Sequence, residues 1–402
     1  MGSNTYNRRN FIQKTIFSSA GVIFSSSIAS AAAAATAKED KKIIRRKLGK
    51  TGIELPIVSF GVMRADSPAL LQAAYNEGMV HFDTAHGYQN GRNEEMIGEI
   101  FKDVPRDSIV LSTKVQPEDM DRGSGKVGPG TTEKAFLDRL DISLKRLKKD
   151  YVDILYVHAL SNRDGVLYPE LLNAVTRAKK EGKAKLIGVS THKNEPEVIR
   201  AVIESKIFEV VLTSVNFKQA HYAEVKKAIA EAAQAGVGIV AMKTMAGGFH
   251  DKERKMPINC KAALKFVMQD ENVCTSIPGI TNFDHLKENM SVNFDLAMTD
   301  AEKADIVYLE QKPEGLYCQA CQTCLPMCSK NLPIPELMRA YMYTYGYANA
   351  AQAQELLVSL GIKGNPCDGC SSCTVECAKS FSVAERIADV SRITSVPAEF
   401  LA

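Results

Sequence analysis

Val152-Asp153-Ile154-Leu155-Tyr156-Val157-His158, Ala184-Lys185-Leu186-Ile187-Gly188-Val189-Ser190 and Val210-Val211-Leu212-Thr213-Ser214-Val215 are three short apolar runs rich in β-branched residues. Between them lie 169–181 and 196–205, longer stretches with apolar residues at helical spacing. The same unit recurs in both directions. Further strands are expected at 56–61, 79–83, 109–114, 237–243 and 273–278, and further helices at 68–77, 93–101, 132–149, 222–235, 259–270 and 283–290. Thr131-Thr132-Glu133 and Asn194-Glu195-Pro196 carry helix-start chemistry, and Gly78, Gly182 and Gly236 close helices. Eight strand–helix units predict an α/β chain folded as a (β/α)8 TIM barrel over residues 45–311. No Gly-x-Gly-x-x-Gly follows an early strand, which disfavours an open dinucleotide-binding sheet.

The remaining length of the 402-residue chain allows an appendage at each end. With 45% hydrophobic and 24% charged residues the composition is that of a soluble globular protein. Fifty basic residues against 47 acidic ones leave a net charge of +3, which gives no electrostatic case for a nucleic-acid partner. Eight of the ten cysteines fall between Cys318 and Cys377, which sets residues 312–402 apart as a second region.

In such a barrel the chemistry sits at the C-terminal ends of the strands. Strand two ends in His81-Phe82-Asp83-Thr84-Ala85-His86-Gly87-Tyr88, strand three in Ser112-Thr113-Lys114 and strand four in Tyr156-Val157-His158. Each residue alone has a structural reading: a strand-end cap, a rim tyrosine, a solvated lysine, a satisfied core histidine. Together, Asp83, Tyr88, Lys114 and His158 resemble the Asp–Tyr–Lys–His tetrad of the aldo-keto reductase family in chain order. Asn93-Glu94-Glu95-Met96-Ile97-Gly98 is similar to that family's segment after the tyrosine. The resemblance implies an oxidoreductase that interconverts a carbonyl and an alcohol with NADP or NAD. The four groups suit that chemistry. Carbonyl reduction builds an alkoxide that needs a proton, and a phenol with pKa of about 10 donates poorly unless a neighbour lowers it. Lys114 is expected to lower Tyr88, Asp83 to hold Lys114, and His158 to orient the carbonyl.

The same resemblance places a nicotinamide dinucleotide at the later strand ends. Ser190 and Asn216 would bond the carboxamide, the backbone around Gly279 and Asn282 would meet phosphate, and Glu288 with Asn289 would hold adenine. Phe217 is the nearest aromatic for stacking. Asn282 and Phe283 stand where an arginine typically grips a 2′-phosphate, which leaves NAD against NADP open. The loop 116–130, with Gly123, Gly125, Gly128 and Gly130, reads either as a substrate lid or as a disordered excursion.

Two identical spacings mark the C-terminal region: Cys318-x-x-Cys321-x-x-Cys324-x-x-x-Cys328 and Cys367-x-x-Cys370-x-x-Cys373-x-x-x-Cys377. Three cysteines in seven residues present their sulfurs to one cubane, so two [4Fe–4S] clusters are expected. Zinc and disulfides are the alternatives. Zinc sites prefer two separated cysteine pairs, and CxxC triplets suit structural bridges poorly. The motifs resemble the bacterial ferredoxin module, although Ser329 and Ala378 replace its usual proline. That resemblance implies an exchange of ligands, with Cys328 joining Cys367, Cys370 and Cys373, and Cys377 joining Cys318, Cys321 and Cys324. Residues 334–360 read as one or two helices, with Tyr341, Tyr343, Tyr345 and Tyr347 in an irregular segment between them. Cys260 and Cys274 read as buried thiols.

Residues 1–40 begin with Arg8-Arg9-Asn10-Phe11-Ile12, followed by a Ser/Ala-rich apolar run with several small-x-small sites. They resemble a twin-arginine signal, and the alternative is a short membrane anchor. The run lacks the ~20 strongly apolar residues of a spanning helix. The resemblance implies export, already folded and cofactor-loaded, to the periplasm or another extracytoplasmic space, with a mature protein that does not span the membrane. The function expected from the whole chain is NAD(P)-dependent carbonyl–alcohol interconversion on a small-molecule substrate, with two clusters for electron transfer or structure. A redox partner protein is compatible with the clusters. The alternative is an electron-transfer protein whose barrel docks a redox partner without hydride chemistry.

Overall fold

The computed structural model describes residues 42–312 and 315–401, so the export signal expected at residues 1–40 lies outside the described residues. An antiparallel hairpin comes first, β1 (Arg45–Lys47) with β2 (Glu54–Pro56). Eight parallel strands follow: β3 (Phe60–Gly61), β4 (His81–Asp83), β5 (Val110–Val115), β6 (Val152–Val157), β7 (Ala184–Thr191), β8 (Val210–Ser214), β9 (Gly238–Met242) and β10 (Val273–Ser276). They pair in chain order from β3 to β10. Parallel bridges from Val58 to Ser276 and from Gly61 to Gly279 join the two edges, so the sheet curls round on itself. Gly61 is required at that seam, since a Cβ there would lie 2.5 Å from the Ile277 carbonyl oxygen.

Side-chain alternation explains why these runs are apolar throughout. Along β6, Ile154 and Tyr156 point into a central cluster with Leu186, Val210, Leu212, Val240 and Met242. Leu155 and Val157 point outward into the larger cluster shared with the helices. Both faces are buried, as a parallel sheet with outer helices requires. Leu48 and Leu55, on and beside the hairpin, belong to the central cluster. Gly188 of β7 makes room for Tyr156, because a Cβ there would stand 2.8 Å from the tyrosine ring.

The helices between the strands are α1 (Pro68–Asn76), α2 (Arg92–Ile100), α3 (Glu133–Leu147), α4 (Arg163–Val166), α5 (Pro169–Lys180), α6 (Glu195–Ser205), α7 (Tyr222–Ala235), α8 (Cys260–Met268) and α9 (Phe283–Val292). Thr132 caps α3 by accepting the Ala135 N–H, and Asn282 caps α9 by accepting the His285 N–H. The four-residue α4 and the following α10 (Asp300–Gln311) were not expected. The start of α10 was readable, for Thr299 and Glu302 form a reciprocal capping box.

Beyond α10, three helices, α11 (Ile334–Tyr345), α12 (Ala350–Ser359) and α13 (Val383–Ser391), pack through Leu337, Met338, Leu356, Leu357, Ile387 and Val390. This cluster continues into Phe217, Ala246 and Ala262, so the C-terminal region shares its core with the barrel. The stretch 334–360 does form two helices. The irregular tyrosine segment expected between them is corrected: Tyr341, Tyr343 and Tyr345 lie on α11. Tyr341 meets Tyr345, four residues on, at 4.6 Å between ring centroids, and Tyr343 stacks on Tyr347, just past the end of the helix, at 5.7 Å. No described helix is long and apolar enough to cross a membrane.

Candidate active site

Asp83 ends β4, Tyr88 opens the short turn after it, Lys114 stands near the end of β5, and His158 directly follows β6. Neighbouring strands in parallel register bring all four to one rim. The buried Lys114 ammonium is ion-paired with Asp83, donates to the Thr84 carbonyl at 2.6 Å and lies 3.4 Å from the Tyr88 hydroxyl. Asp83 also accepts from the Ser112 hydroxyl at 2.5 Å. The His158 ring meets the Tyr88 ring edge-on at 6.0 Å, and His192 follows at 6.4 Å from His158.

The electrostatics differ from the expectation at one point. Burial first, then the charge of Asp83, pushes Tyr88 up from the ordinary phenol value. The expected lowering by Lys114 does not appear: its ammonium is paired with Asp83, and burial dominates at Tyr88. Burial lowers Lys114 against the pull of Asp83. Burial, reinforced by Lys114, Arg122 and Arg339, holds His158 well below the usual imidazole range. The rim therefore presents a protonated phenol and a neutral imidazole to the same space, both able to donate a hydrogen bond to one oxygen.

That space is a cavity of about 870 Å³. Asp83, Tyr88, Lys114 and His158 line one end, and Gly279, Asn282, Glu288 and Asn289 line the rest of its wall after β10. Asn282 is engaged as the α9 cap at 2.8 Å, and Asn289 donates to the His285 carbonyl at 2.7 Å. Arg64, whose side chain would lie 3.7 Å from a Cβ at Gly279, donates to the Tyr347 carbonyl.

Two of the expected dinucleotide contacts are not on the cavity wall. Ser190 is fully buried and its hydroxyl accepts the Ala159 N–H at 2.9 Å. Asn216 is fully buried beside Tyr317, its amide nitrogen without a well-formed hydrogen bond. The chain after α10 folds back over the ends of β7 and β8 and sets Tyr317 there. Phe217 does not face the cavity either; it packs edge-on against Phe266 at 6.3 Å. The loop 116–130 is an ordered hairpin, bridged at Met120 and Val127 and tied to the barrel by Lys193, which donates to the Arg122 and Gly123 carbonyls. Gln116 and Arg122 of this loop reach the cavity.

With the barrel and its rim established, the profile described as the aldo/keto reductase family matches residues 59–262. The chain belongs to the aldo/keto reductase family. Among curated relatives, L-glyceraldehyde 3-phosphate reductase of Escherichia coli (strain K12) is 32% identical over 172 residues, covering 40% of this chain and 48% of the relative. L-galactose dehydrogenase of Arabidopsis thaliana is 32% identical over 163 residues, covering 37% and 49%. The chain thus spans about half the length of these curated relatives. The holo form of an aldo-keto reductase from Bacillus halodurans superposes with a TM-score of 0.54 at 22% identity, over 67% of this chain and 96% of that one. Asp83, Tyr88, Lys114 and His158 fall inside the family match, whereas residues 279–289 and all eight C-terminal motif cysteines lie beyond it.

In the C-terminal region the cysteines fall into two groups that mix the motifs. Cys318, Cys321 and Cys324 line one small cavity together with Cys377. Cys328 lies within electrostatic range of Cys367, as do Cys370 and Cys373, and also of Cys324 of its own motif. Left-handed backbone at Ala320 (φ 54°) and Gln322 (φ 63°) winds the first loop around its sulfurs. The Ala320 N–H points to the Cys318 sulfur and the Lys379 N–H to the Cys377 sulfur, both at 3.4 Å. Among the described residues no three His, Cys, Asp or Glu side chains are gathered tightly enough for a single metal ion. Cys274 is buried as expected, but Cys260 is half-buried and lines the larger cavity.

Residues that the sequence reading missed also line the large cavity. Of these, His192 after β7 was findable by the strand-end rule; Lys243, directly after β9, also lines the cavity. Lys243 has left-handed backbone (φ 56°), and burial together with Arg339 brings its ammonium down to about 7. Arg339 and Tyr343 come from α11, and nothing in the local sequence says that this helix faces the barrel mouth.

Proposed function

We propose that this family member is an oxidoreductase that interconverts a carbonyl and an alcohol on a small molecule, using NAD or NADP. The observation that carries the reading is the buried Lys114 held by Asp83 at 3.4 Å from the Tyr88 hydroxyl, at one end of a cavity large enough for both substrate and dinucleotide. Gly279, Asn282, Glu288 and Asn289 would hold the dinucleotide along the wall after β10. The amide nitrogen of Asn216, which faces the Tyr317 hydroxyl, is a donor suited to a carboxamide, reachable once Tyr317 moves aside. When bound, the dinucleotide exchanges a hydride with the substrate carbon. Tyr88 gives its proton to the substrate oxygen during reduction and recovers it during oxidation. His158 donates a second hydrogen bond to that oxygen. Lys114 steadies the phenolate that Tyr88 leaves, and Asp83 keeps Lys114 in place.

The C-terminal region, residues 312–402, is proposed to hold two [4Fe–4S] clusters, one on Cys318, Cys321, Cys324 and Cys377, the other on Cys328, Cys367, Cys370 and Cys373. A zinc ion draws its sulfurs to about 2.3 Å from a single point, whereas a cubane spreads them over four irons. What supports this reading is that Cys377 of the second motif lines one cavity with Cys318, Cys321 and Cys324 of the first. When bound, such clusters carry single electrons. Residues 1–40 are proposed as a twin-arginine signal that exports the folded, loaded protein to an extracytoplasmic compartment.

The test is to purify the full chain anaerobically, count iron, and follow NADH and NADPH absorbance with a panel of aldehydes and ketones. Dinucleotide-dependent turnover with about eight irons per chain is expected from eight thiolates. Absence of dinucleotide binding overturns the enzymatic reading, and stoichiometric zinc overturns the cluster reading.

A further inference from the structure

Resting on the reading that Cys318, Cys321, Cys324 and Cys377 hold a [4Fe–4S] cluster, the geometry points to a cation shared by that first cluster and the active-site cavity. We propose that Arg339 raises the reduction potential of the first cluster from the cavity wall, so that the cluster's affinity for an electron depends on what the cavity holds.

The α11 helix stands between the two sites. Ile334, Pro335 and Met338 line the small cavity together with the four cysteines. Arg339, the next residue, lines the large cavity instead, with Tyr343 one turn later. The first-motif loop is fastened to the barrel beside them. Gln319 accepts the Ala220 N–H at 2.8 Å and Gln322 donates to Asn194 at 2.9 Å, in the loops that follow β8 and β7. Arg339 thereby lies within electrostatic range of Cys318 and of Tyr317 directly before it.

The surrounding charges fix the sign of the effect. The Arg339 side chain is 14% exposed and is ion-paired at 3.0 Å with the buried Glu336, which also faces Lys193 at 3.5 Å. Lys243, on the same cavity wall, faces Arg339, Glu336, Glu195 and Cys318. Glu195 is in turn bonded to Gln219 at 3.1 Å and His221 at 2.9 Å. Lys379 lines the small cavity but not the large one. Reducing a thiolate-bound cluster adds a negative charge to a group that is already an anion. A buried cation favours that step and a buried carboxylate opposes it, both with little screening by salt. Glu336 and Arg339 therefore act on the first cluster with opposite signs. The second cysteine group faces Lys330, which is exposed and spent on the Pro366 and Asp368 carbonyls. A ligand entering the large cavity changes the surroundings of Arg339. By linkage, an electron on the first cluster changes that ligand's affinity by the same factor.

The experiment is an anaerobic redox titration of the iron-loaded full chain, followed by EPR, on wild type, Arg339→Gln and Glu336→Gln. The first cluster is identified as the one that survives in Cys367→Ser. Its potential should become more negative in Arg339→Gln and more positive in Glu336→Gln, while the second cluster stays in place. A merely structural role for α11 would move both variants the same way. Arg339→Lys, which keeps the charge, should stay near wild type and carries the test together with Glu336→Gln if Arg339→Gln does not fold. The titration is then repeated with tetrahydro-NADP, a dinucleotide that cannot give up a hydride, its binding confirmed by calorimetry. The bound analogue should shift the first potential in wild type and shift it less in Arg339→Gln. A first potential that is equal in wild type and Arg339→Gln, or that the bound analogue leaves unmoved, overturns the proposal. The failure of the cluster reading looks different: a chain that takes up no iron overturns that reading and this inference together. Intact clusters with unmoved potentials leave the cluster reading standing and sink the inference alone.

Discussion

The Lys114 ammonium lies 3.4 Å from the Tyr88 hydroxyl while its charge is matched by Asp83. Tyr88 therefore has an ammonium neighbour without a net positive field, and burial keeps its proton on. Tyr88→Phe removes only the transferable proton. Turnover should fall by ~10²–10⁴-fold, the usual range for a positioned general acid, while the dinucleotide dissociation constant stays within a few-fold. Steady-state kinetics with a fluorescence titration of NADPH checks both. Retention of wild-type rates would remove Tyr88 from the chemistry.

Asp83 and Lys114 are each 2% exposed. Asp83→Ala leaves a buried ammonium with only the Thr84 carbonyl and the Tyr88 hydroxyl. Breaking such a pair costs about 3–5 kcal/mol, so thermal unfolding should begin several degrees lower. The double variant Asp83→Ala, Lys114→Met should be more stable than the single one, because no charge is stranded. A double variant no more stable than the single would show that the loss arises from packing around Asp83.

Much of this rim was legible because it follows from local rules. Strands β6 to β9 declare themselves by apolar runs, and the residues that follow a strand end must face the mouth of a parallel barrel. What the sequence did not carry is where distant segments land. Tyr317 covers Asn216, and Arg339 and Tyr343 enter the mouth from α11, some 180 residues after His158. Phe217 has the right position for stacking, yet one residue of rotation past Asn216 turns it into the core against Phe266. The electrostatic misjudgement has a similar origin. Lysine beside tyrosine lowers its pKa only when the lysine's charge is not already matched, and that depends on burial and on a third residue.

His81 predicts how the fold responds to acid. It is fully buried on β4, bonded through Nε2 to the Ser112 hydroxyl at 3.1 Å, and burial lowers it from 6.5 to about 4. The unfolded chain takes up this proton first, so its stabilising contribution is complete above pH 6.5 and is lost as pH falls toward 4. Over the whole window the loss is on the order of 3 kcal/mol. His158 and His192, also kept neutral by burial, act in the same direction. Urea unfolding between pH 7 and 4 should show this decline, and His81→Gln should flatten it. A parallel decline in both proteins would mean that His81 does not contribute.

The mixing of cysteines between motifs gives the sharpest test of the C-terminal region. Cys377 is the last cysteine of the second motif in sequence, yet it lines a cavity with Cys318, Cys321 and Cys324 of the first. If each motif bound its own cluster, Cys377→Ser would damage the same cluster as Cys367→Ser. With the ligands exchanged, Cys377→Ser should instead match Cys318→Ser, and Cys328→Ser should match Cys367→Ser. Each variant is expected to retain about four irons, since one set of four thiolates remains intact. Iron content alone does not separate the two arrangements, but the EPR signal of the surviving cluster does, because the two sites have different surroundings. The first group sits against Ile334, Met338 and Phe381 with Cys321 exposed, whereas both Cys370 and Cys373 of the second are exposed. Pairing of the spectra as 377 with 318 and 328 with 367 supports the exchange; pairing as 377 with 367 and 328 with 318 refutes it.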